Sequence, residues 1–497
     1  MAKNIYASAA QVTIFSTIEK ALSFAYRIVL SRFLGAEGVG IYQICLSVFS
    51  VFLTMASSGI PVTVSRMIAK QSATGTLAGK HAVVSAGVAG TLLFTVPAAI
   101  ILFFGRDMLS FLFPDGDSID IFVILLPGLI LTSVYAVMRG TFWGNKQFMP
   151  YSLIELAEDS VMVVLGSILV MFASSPSDGA YRATVAVLIS YIFSFVVSVG
   201  WYLAHGGKFV HPREQLKPLL ASAMPITAMR TSTSLINSVV ATFLPALLIS
   251  TCGYENSEAL ALYGAVTGMS LPVLFIPNSL IGSIAVVTAP EMSEHYYAKR
   301  TQKLRGDVEK TIKAAVLIAA MIIPPLYVLG DEIGILLFNN AFSGRVISDF
   351  SFMLMPMCIS MITTTVLNSM NCEVKTLIYF FIGSLFMLAC IFILTPIAGI
   401  YSYMTGLAGS NFITAGLNLA LLSKKCPSVS WAKYTVTCTA LCVLGSMFGL
   451  VIDRLTDCLP TAAAMAVCGA AVTVFMIAAL RATGAVKFAM LKAILKK

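Results

Sequence analysis

VAVLISYIFSFVVSVGWYLA, residues 185–204, runs for twenty residues without a charge. At 1.5 Å per residue a helix of this length spans about 30 Å, the thickness of the hydrocarbon core of a bilayer. Only helices and closed barrels satisfy their backbone hydrogen bonds in lipid. A barrel strand would alternate apolar and polar residues, and this stretch does not. It reads as a transmembrane helix. The rest of the chain agrees: of 497 residues, 58% are hydrophobic and 11% are charged, with a mean hydropathy of +0.90. A soluble domain carries about 25% charged residues, so soluble enzymes, disordered chains and disulfide scaffolds are excluded.

The same length criterion applied outward finds fourteen segments: 5–33, 40–68, 79–104, 119–142, 150–172, 181–205, 217–251, 259–290, 307–330, 346–370, 374–395, 399–423, 431–452 and 459–481. The expected fold is an all-α polytopic membrane protein with 14 transmembrane helices. The opening MAKNIYASAAQ meets Glu19 and Lys20 before any cleavage-type site, so it reads as a first spanning helix rather than a removable signal. Most of the 10 cysteines fall in apolar segments without CxxC spacing or flanking histidines, which suits core packing rather than a disulfide framework or zinc site. Cys438 and Cys442 are read as such a core pair.

Basic residues orient the chain. With a cytoplasmic N-terminus, the cytoplasmic loops and tails hold 24 Lys and Arg and the opposite loops hold 5; Lys20, Arg27 and Arg230 remain within spans. Both termini are therefore expected in the cytoplasm. The net charge of +9 resolves into +18 on that side, −8 on the other and −1 within the spans. The tail, 482–497, interleaves Lys with Phe488, Leu491 and Ile494, as an amphipathic helix on anionic lipid would; a frayed basic end fits it equally. Segment 291–306 reads as a solvated linker helix with His295 on its surface.

A shift of 221 places Tyr42 on Tyr263 and Ile60 on Ile281, and a shift of 229 places Pro127 on Pro356 and Lys146 on Lys375. With the helix count, this repeat suggests a six-helix lobe over 1–216, a second over 217–428 in the same orientation, and two appended helices over 429–481.

A charge at the bilayer centre costs at least ~2.5–3.5 kcal/mol, which makes each deep charge a functional candidate. Lys20 lies about 15 residues into the first helix, roughly 22 Å along it. Thr13, Ser16, Lys20, Ser23, Arg27 and Ser31 recur at three- or four-residue spacing and form one polar stripe. That stripe must line a wet cavity or meet another polar helix, with a Glu19–Lys20 pair as the plainer alternative. The seventh helix repeats the theme with Thr227, Arg230, Ser234 and Asn237. Two cation-bearing faces suggest one central substrate cavity. Arg66 and Arg139, at span ends, either fix topology or stand at its mouth. Glu155, Glu158 and Asp159 on the fifth helix serve as counter-charges to Arg139 or Lys20, or couple a proton or sodium ion.

No HExxH, GxSxG or GxxxxGK[ST] motif and no nucleophile–base constellation is present. Neither an enzyme nor a cofactor is expected, and no soluble module exists to bind nucleic acid. A cationic cavity suits an anionic or amphiphilic substrate, and Lys and Arg are strong ligands of diphosphate oxygens.

EKALSFAYRIVLSRFLGAEGVGIYQ (19–43), SSGIPVTVSRMIAK (57–70) and RGTFWGNKQFMPYSLIELAED (139–159) resemble the stage V sporulation protein B group of polysaccharide transporters. That group lies within the multidrug/oligosaccharidyl-lipid/polysaccharide flippase superfamily. The resemblance implies two V-arranged lobes and alternating access. It also implies flipping of a saccharide on an undecaprenyl-pyrophosphate-type carrier, such as a peptidoglycan precursor, in the bacterial cytoplasmic membrane. In related lipid II flippases, arginines on the first helix grip the diphosphate; Lys20 matches one such position and Arg27 lies one residue from another. A second-helix arginine of those proteins meets the neighbourhood of Thr54 here, and an arginine common four residues after the fifth-helix Glu is Met162. A multidrug and toxin extrusion antiporter on the same architecture, or a scaffold of a cell-wall synthesis complex, are the competing readings.

Overall fold

The computed structural model describes residues 2–73, 77–113, 116–426, 432–456 and 460–483; most of the basic tail lies outside them. In chain order the helices are α1 (Ala2–Ser57), α2 (Ile60–Ala73), α3 (Leu77–Phe104), α4 (Gly116–Gly144), α5 (Phe148–Val170), α6 (Pro176–Ala204), α7 (Leu216–Cys252) and α8 (Asn256–Gly264). A π-turn over Ala265–Ser270 leads into α9 (Leu271–Leu274), α10 (Ile276–Tyr297), α11 (Thr301–Phe338), α12 (Ala341–Phe350), α13 (Leu354–Ser369), α14 (Glu373–Ala398), α15 (Tyr401–Lys425), α16 (Ala432–Thr456) and α17 (Thr461–Ala482). No strand occurs among the described residues, so the all-α class holds.

Ten described helices are long and apolar enough to cross a membrane, or eleven if one bent pair counts as a single span. Besides the bent pair, three of the fourteen expected segments are not counted separately, and one of these is 399–423, whose helix α15 (Tyr401–Lys425) is not among the ten. The stretch Ile14–Ser72 counts once although it is 59 residues long, far beyond the roughly 20 residues that a bilayer needs. It holds the first two expected segments, divided at Gly35. Helix α5 misses the criterion because Glu155, Glu158 and Asp159 sit inside it. Large side chains left on helix faces, such as Phe104 at 80%, Phe412 at 72% and Ile397 at 85% exposure, are surfaces that lipid covers.

The chain packs as two compact units, Met1–Gly264 and Ala265–Lys497. In the first, α1 is the spine and touches α4, α5, α6, α7 and α8. Gly35 (φ 66°, ψ −177°) breaks it into two limbs, a conformation open essentially to glycine alone. Val64, Ile68, Val83, Val137 and Met138 from α2, α3 and α4 form a solvent-free core that Leu219 of α7 completes. Ser58 and Gly59 interrupt the helix before Ile60-Pro61, and a Cβ on Gly59 would lie 2.4 Å from the Ala223 carbonyl oxygen. α7 thus crosses the break at a distance that only glycine permits.

In the second unit, α11 is central and packs on α10, α12, α13, α16 and α17. Ile312, Ala315, Val316, Ala319 and Ile323, at helical spacing, are at most 1% exposed. Cys438 and Cys442 are free thiols and fully buried, as a core pair should be. The segment expected as a single linker helix over 291–306 is two helices. α10 ends at Tyr297, Lys299 turns the chain with a φ of 56°, and α11 begins at Thr301. His295 is consequently not a surface residue but only 8% exposed, because α11 folds back across it.

Candidate functional site

On the first limb of α1 the polar stripe is exposed at Lys20 and becomes buried by Ser31. Lys20 is exposed and forms no ion pair among the described residues. Glu19 does not pair with it, because adjacent residues on a helix point about 100° apart. Glu19 instead turns to α5, within electrostatic reach of Glu155 and Asp159. Ser16 and Ser23 are half-buried on the flank of the stripe. Arg27, seven residues after Lys20, is half-buried; its charge meets the phenol of Tyr42 on the second limb of α1, across the Gly35 break. The break therefore positions Arg27.

Helix α5 gathers the acids. Arg139 Nη1 of α4 donates to Glu155 Oε1 at 3.3 Å, with side-chain exposures of 33% and 24%. The guanidinium also lies 6.0 Å from the Tyr135 ring and 5.8 Å from that of Trp143. Of the two counter-charges open to Glu155 in the sequence, the structure selects Arg139. The α4–α5 hairpin, turned at Lys146 with a φ of 60°, brings the pair together. Glu158 faces Ser194 of α6 and stands close to Glu155, Asp159 and Arg139. Glu155 and Glu158 thus meet the Arg139 guanidinium, and Glu19 and Asp159 lie within electrostatic reach of Glu155. The cluster offers several carboxylate oxygens close together, ligands of the kind that a proton or a hard monovalent cation takes.

The expected α7 site divides in two. Ser234 is buried and hydrogen-bonds Ser50 of α1 at 3.0 Å, and Thr227 Oγ1 accepts from the Gly59 amide at 3.1 Å. With Thr231, Ser238 and Thr242, these residues make a polar seam against α1. The sequence reading missed those three, although they recur along α7 with Thr227 and Ser234 at spacings of three and four, and it missed Ser50 on α1. Arg230 and Asn237, seven residues apart, occupy the exposed flank; Arg230 Nη1 donates to the Ser58 carbonyl at 3.2 Å, beside the helix break. Arg66 is exposed on α2. A cavity of about 220 Å³ lies elsewhere in this unit, lined by Lys80, His81, Asn145, Gln147, Tyr202 and His205 among others, and holds none of the expected site residues.

Comparison with known proteins bears on the family and the fold. The profile of the polysaccharide biosynthesis protein family matches residues 5–295, more than half of the chain. Stage V sporulation protein B of Bacillus subtilis (strain 168) is 22% identical over 445 residues, covering 86% of this chain and 85% of the relative. Lipid II flippase MurJ of the same organism is 22% identical over 340 residues, 63% of this chain and 61% of the relative. Among solved structures, an inward closed lipid II flippase MurJ superposes with a TM-score of 0.69 at 15% identity, covering 95% of this chain and 99% of that one. An inward-facing multidrug resistance MATE family transporter gives 0.67 at 16% identity, covering 83% and 96%. These likenesses are to transporters and flippases, not to catalytic enzymes. The chain is a multi-pass membrane transporter that belongs to the polysaccharide biosynthesis protein family.

Proposed function

We propose that the protein flips a lipid-linked oligosaccharide or peptidoglycan precursor across the cytoplasmic membrane by alternating access, with Lys20 and Arg27 as ligands of its diphosphate. One observation carries this reading. Lys20 is exposed and forms no ion pair among the described residues, although a carboxylate precedes it directly in the chain. An unpaired ammonium at this depth is costly unless a ligand or water meets it, and an anionic headgroup supplies the missing charge. The names of two relatives, a lipid II flippase and a sporulation protein, support the substrate class. Arg230, beside the Gly59-Ile60-Pro61 break, joins the site as the lobes 1–216 and 217–428 rock, with Pro272 and Pro277 bending the eighth span. Fourteen crossings with both termini cytoplasmic fit the distribution of basic residues. The test is native mass spectrometry of the purified protein. A polyprenyl diphosphate saccharide is expected on the wild type and lost from Lys20→Ala/Arg27→Ala; a substrate-free wild type, or lipid retained by the variant, contradicts the assignment.

A second reading rests on the cluster of four carboxylates. As a coupling site, they bind a proton or sodium ion whose gradient drives the cycle. In a cation antiporter of the MATE type, they bind the exported cation itself. Neutralising Glu158 and Asp159 together distinguishes the two: an antiporter loses cation export, whereas a flippase retains lipid binding and loses only its gradient dependence.

A further inference from the structure

The helical elbow between α10 and α11 gathers Glu291, His295 and Asp307 so that one ligand atom from each lies within 4.8 Å of the others. Glu291 and His295 are four apart on the last turns of α10 and so share a face. Asp307 reaches them from the second turn of α11. His295 Nδ1 and Asp307 Oδ2 are already 2.8 Å apart, and the imidazole is buried.

The surrounding charges make the cluster unusual. Lys299, Arg300, Lys303, Arg305, Lys310 and Lys313 all lie in the same short stretch. Arg300 pairs with Glu294 at 3.3 Å, and Lys313 pairs with Glu309. Among the described residues, neither Glu291 nor Asp307 forms an ion pair with any Lys or Arg. Two carboxylates and an imidazole therefore converge, while Arg300 and Lys313 are committed to other acids.

We infer that Glu291, His295 and Asp307 form a binding site for a divalent transition-metal cation, of which zinc is the best match, that staples α10 to α11. Two carboxylates and a neutral imidazole balance a charge of +2, and a nitrogen–oxygen set with three protein ligands and one open position suits Zn²⁺. The end of α10 adds the negative pole of its helix dipole. Metal binding at His295 Nδ1 needs that nitrogen unprotonated, so the neutral ring carries its proton on Nε2 and the metal takes the place between Nδ1 and Asp307. Zinc ligands in a tetrahedron stand roughly 3.3 Å apart. His295 and Asp307 thus need little movement, and Glu291, exposed and flexible, closes the set by a rotamer change.

The test uses the full-length, tag-free protein in detergent, stripped with chelator and titrated with Zn²⁺ against a chromophoric competitor. The expected result is one tight site per chain that raises the thermal unfolding midpoint. Glu291→Gln removes an exposed ligand without disturbing the core, and is expected to weaken binding at least tenfold; His295→Ala is expected to abolish it. Co²⁺ substitution is expected to give visible d–d bands without a thiolate charge-transfer band. Absence of stoichiometric metal, unchanged affinity in Glu291→Gln, or a thiolate band assigning the metal to the cysteines would each overturn the inference.

Discussion

The Arg139–Glu155 pair separates a structural charge from a substrate-binding one. At 3.3 Å and an effective dielectric of 20, the pair has a Coulomb energy of about 5 kcal/mol. With side chains 33% and 24% exposed, solvent screens roughly half of this, so the cost lies between the ~0–1 kcal/mol of surface pairs and the ~3–5 kcal/mol of broken buried ones. Arg139→Met also removes the contacts with Tyr135 and Trp143, worth about 0.5–1 kcal/mol each. Arg139→Met is thus expected to destabilise by about 3 kcal/mol. Glu155→Gln, which leaves the guanidinium between its rings, is expected to cost about 1–2 kcal/mol. The double variant recovers part of the sum, because neither charge is then left alone, and the expected coupling is about 1.5 kcal/mol. Detergent-denaturation curves for the four proteins of the cycle measure these values, with transport assayed in parallel. Additive single effects, or full stability with abolished transport in Arg139→Met, would refute the structural assignment and return Arg139 to the substrate.

Two further perturbations address the elements that shape the site. Gly35→Val forces a β-branched residue into a positive-φ conformation; it is expected to cost about 1–3 kcal/mol, to shift Arg27 against Tyr42, and to lower both thermal stability and lipid binding, whereas unchanged stability would show that the break is not constrained. Ser234→Ala removes the 3.0 Å bond to Ser50 at an expected cost of about 0.5–1.5 kcal/mol. Because Ser234 belongs to the α1–α7 seam, transport should then fall no further than correctly inserted protein does, and a selective loss of transport would place Ser234 in the substrate path.

Local patterns carried most of the fold, and partners distant in sequence escaped them. The apolar run at 185–204 sufficed for α6, whereas of the spaced set Ser16, Lys20, Ser23 and Arg27 only Lys20 is exposed and the others are half-buried. Glu155 had two candidate counter-charges, and only the geometry of the hairpin turn at Lys146 decides for Arg139. Ser234 looked like a cavity residue because its hydrogen-bond partner, Ser50, lies 184 positions away. His295 sits in a run of charges that reads as solvated, and nothing local reveals the reversal at Lys299 that buries it. The span count differs in part for a physical reason: carboxylates inside α5, half-buried in the structure, lower its apparent membrane affinity.

The central claim is that Lys20 and Arg27 bind the diphosphate of a lipid-linked saccharide. Translocation of a lipid-linked precursor by Lys20→Ala/Arg27→Ala, inserted at wild-type level in the same membrane, tests it most directly. The account predicts that translocation falls to background while folding and insertion persist. Full translocation by that variant would contradict it.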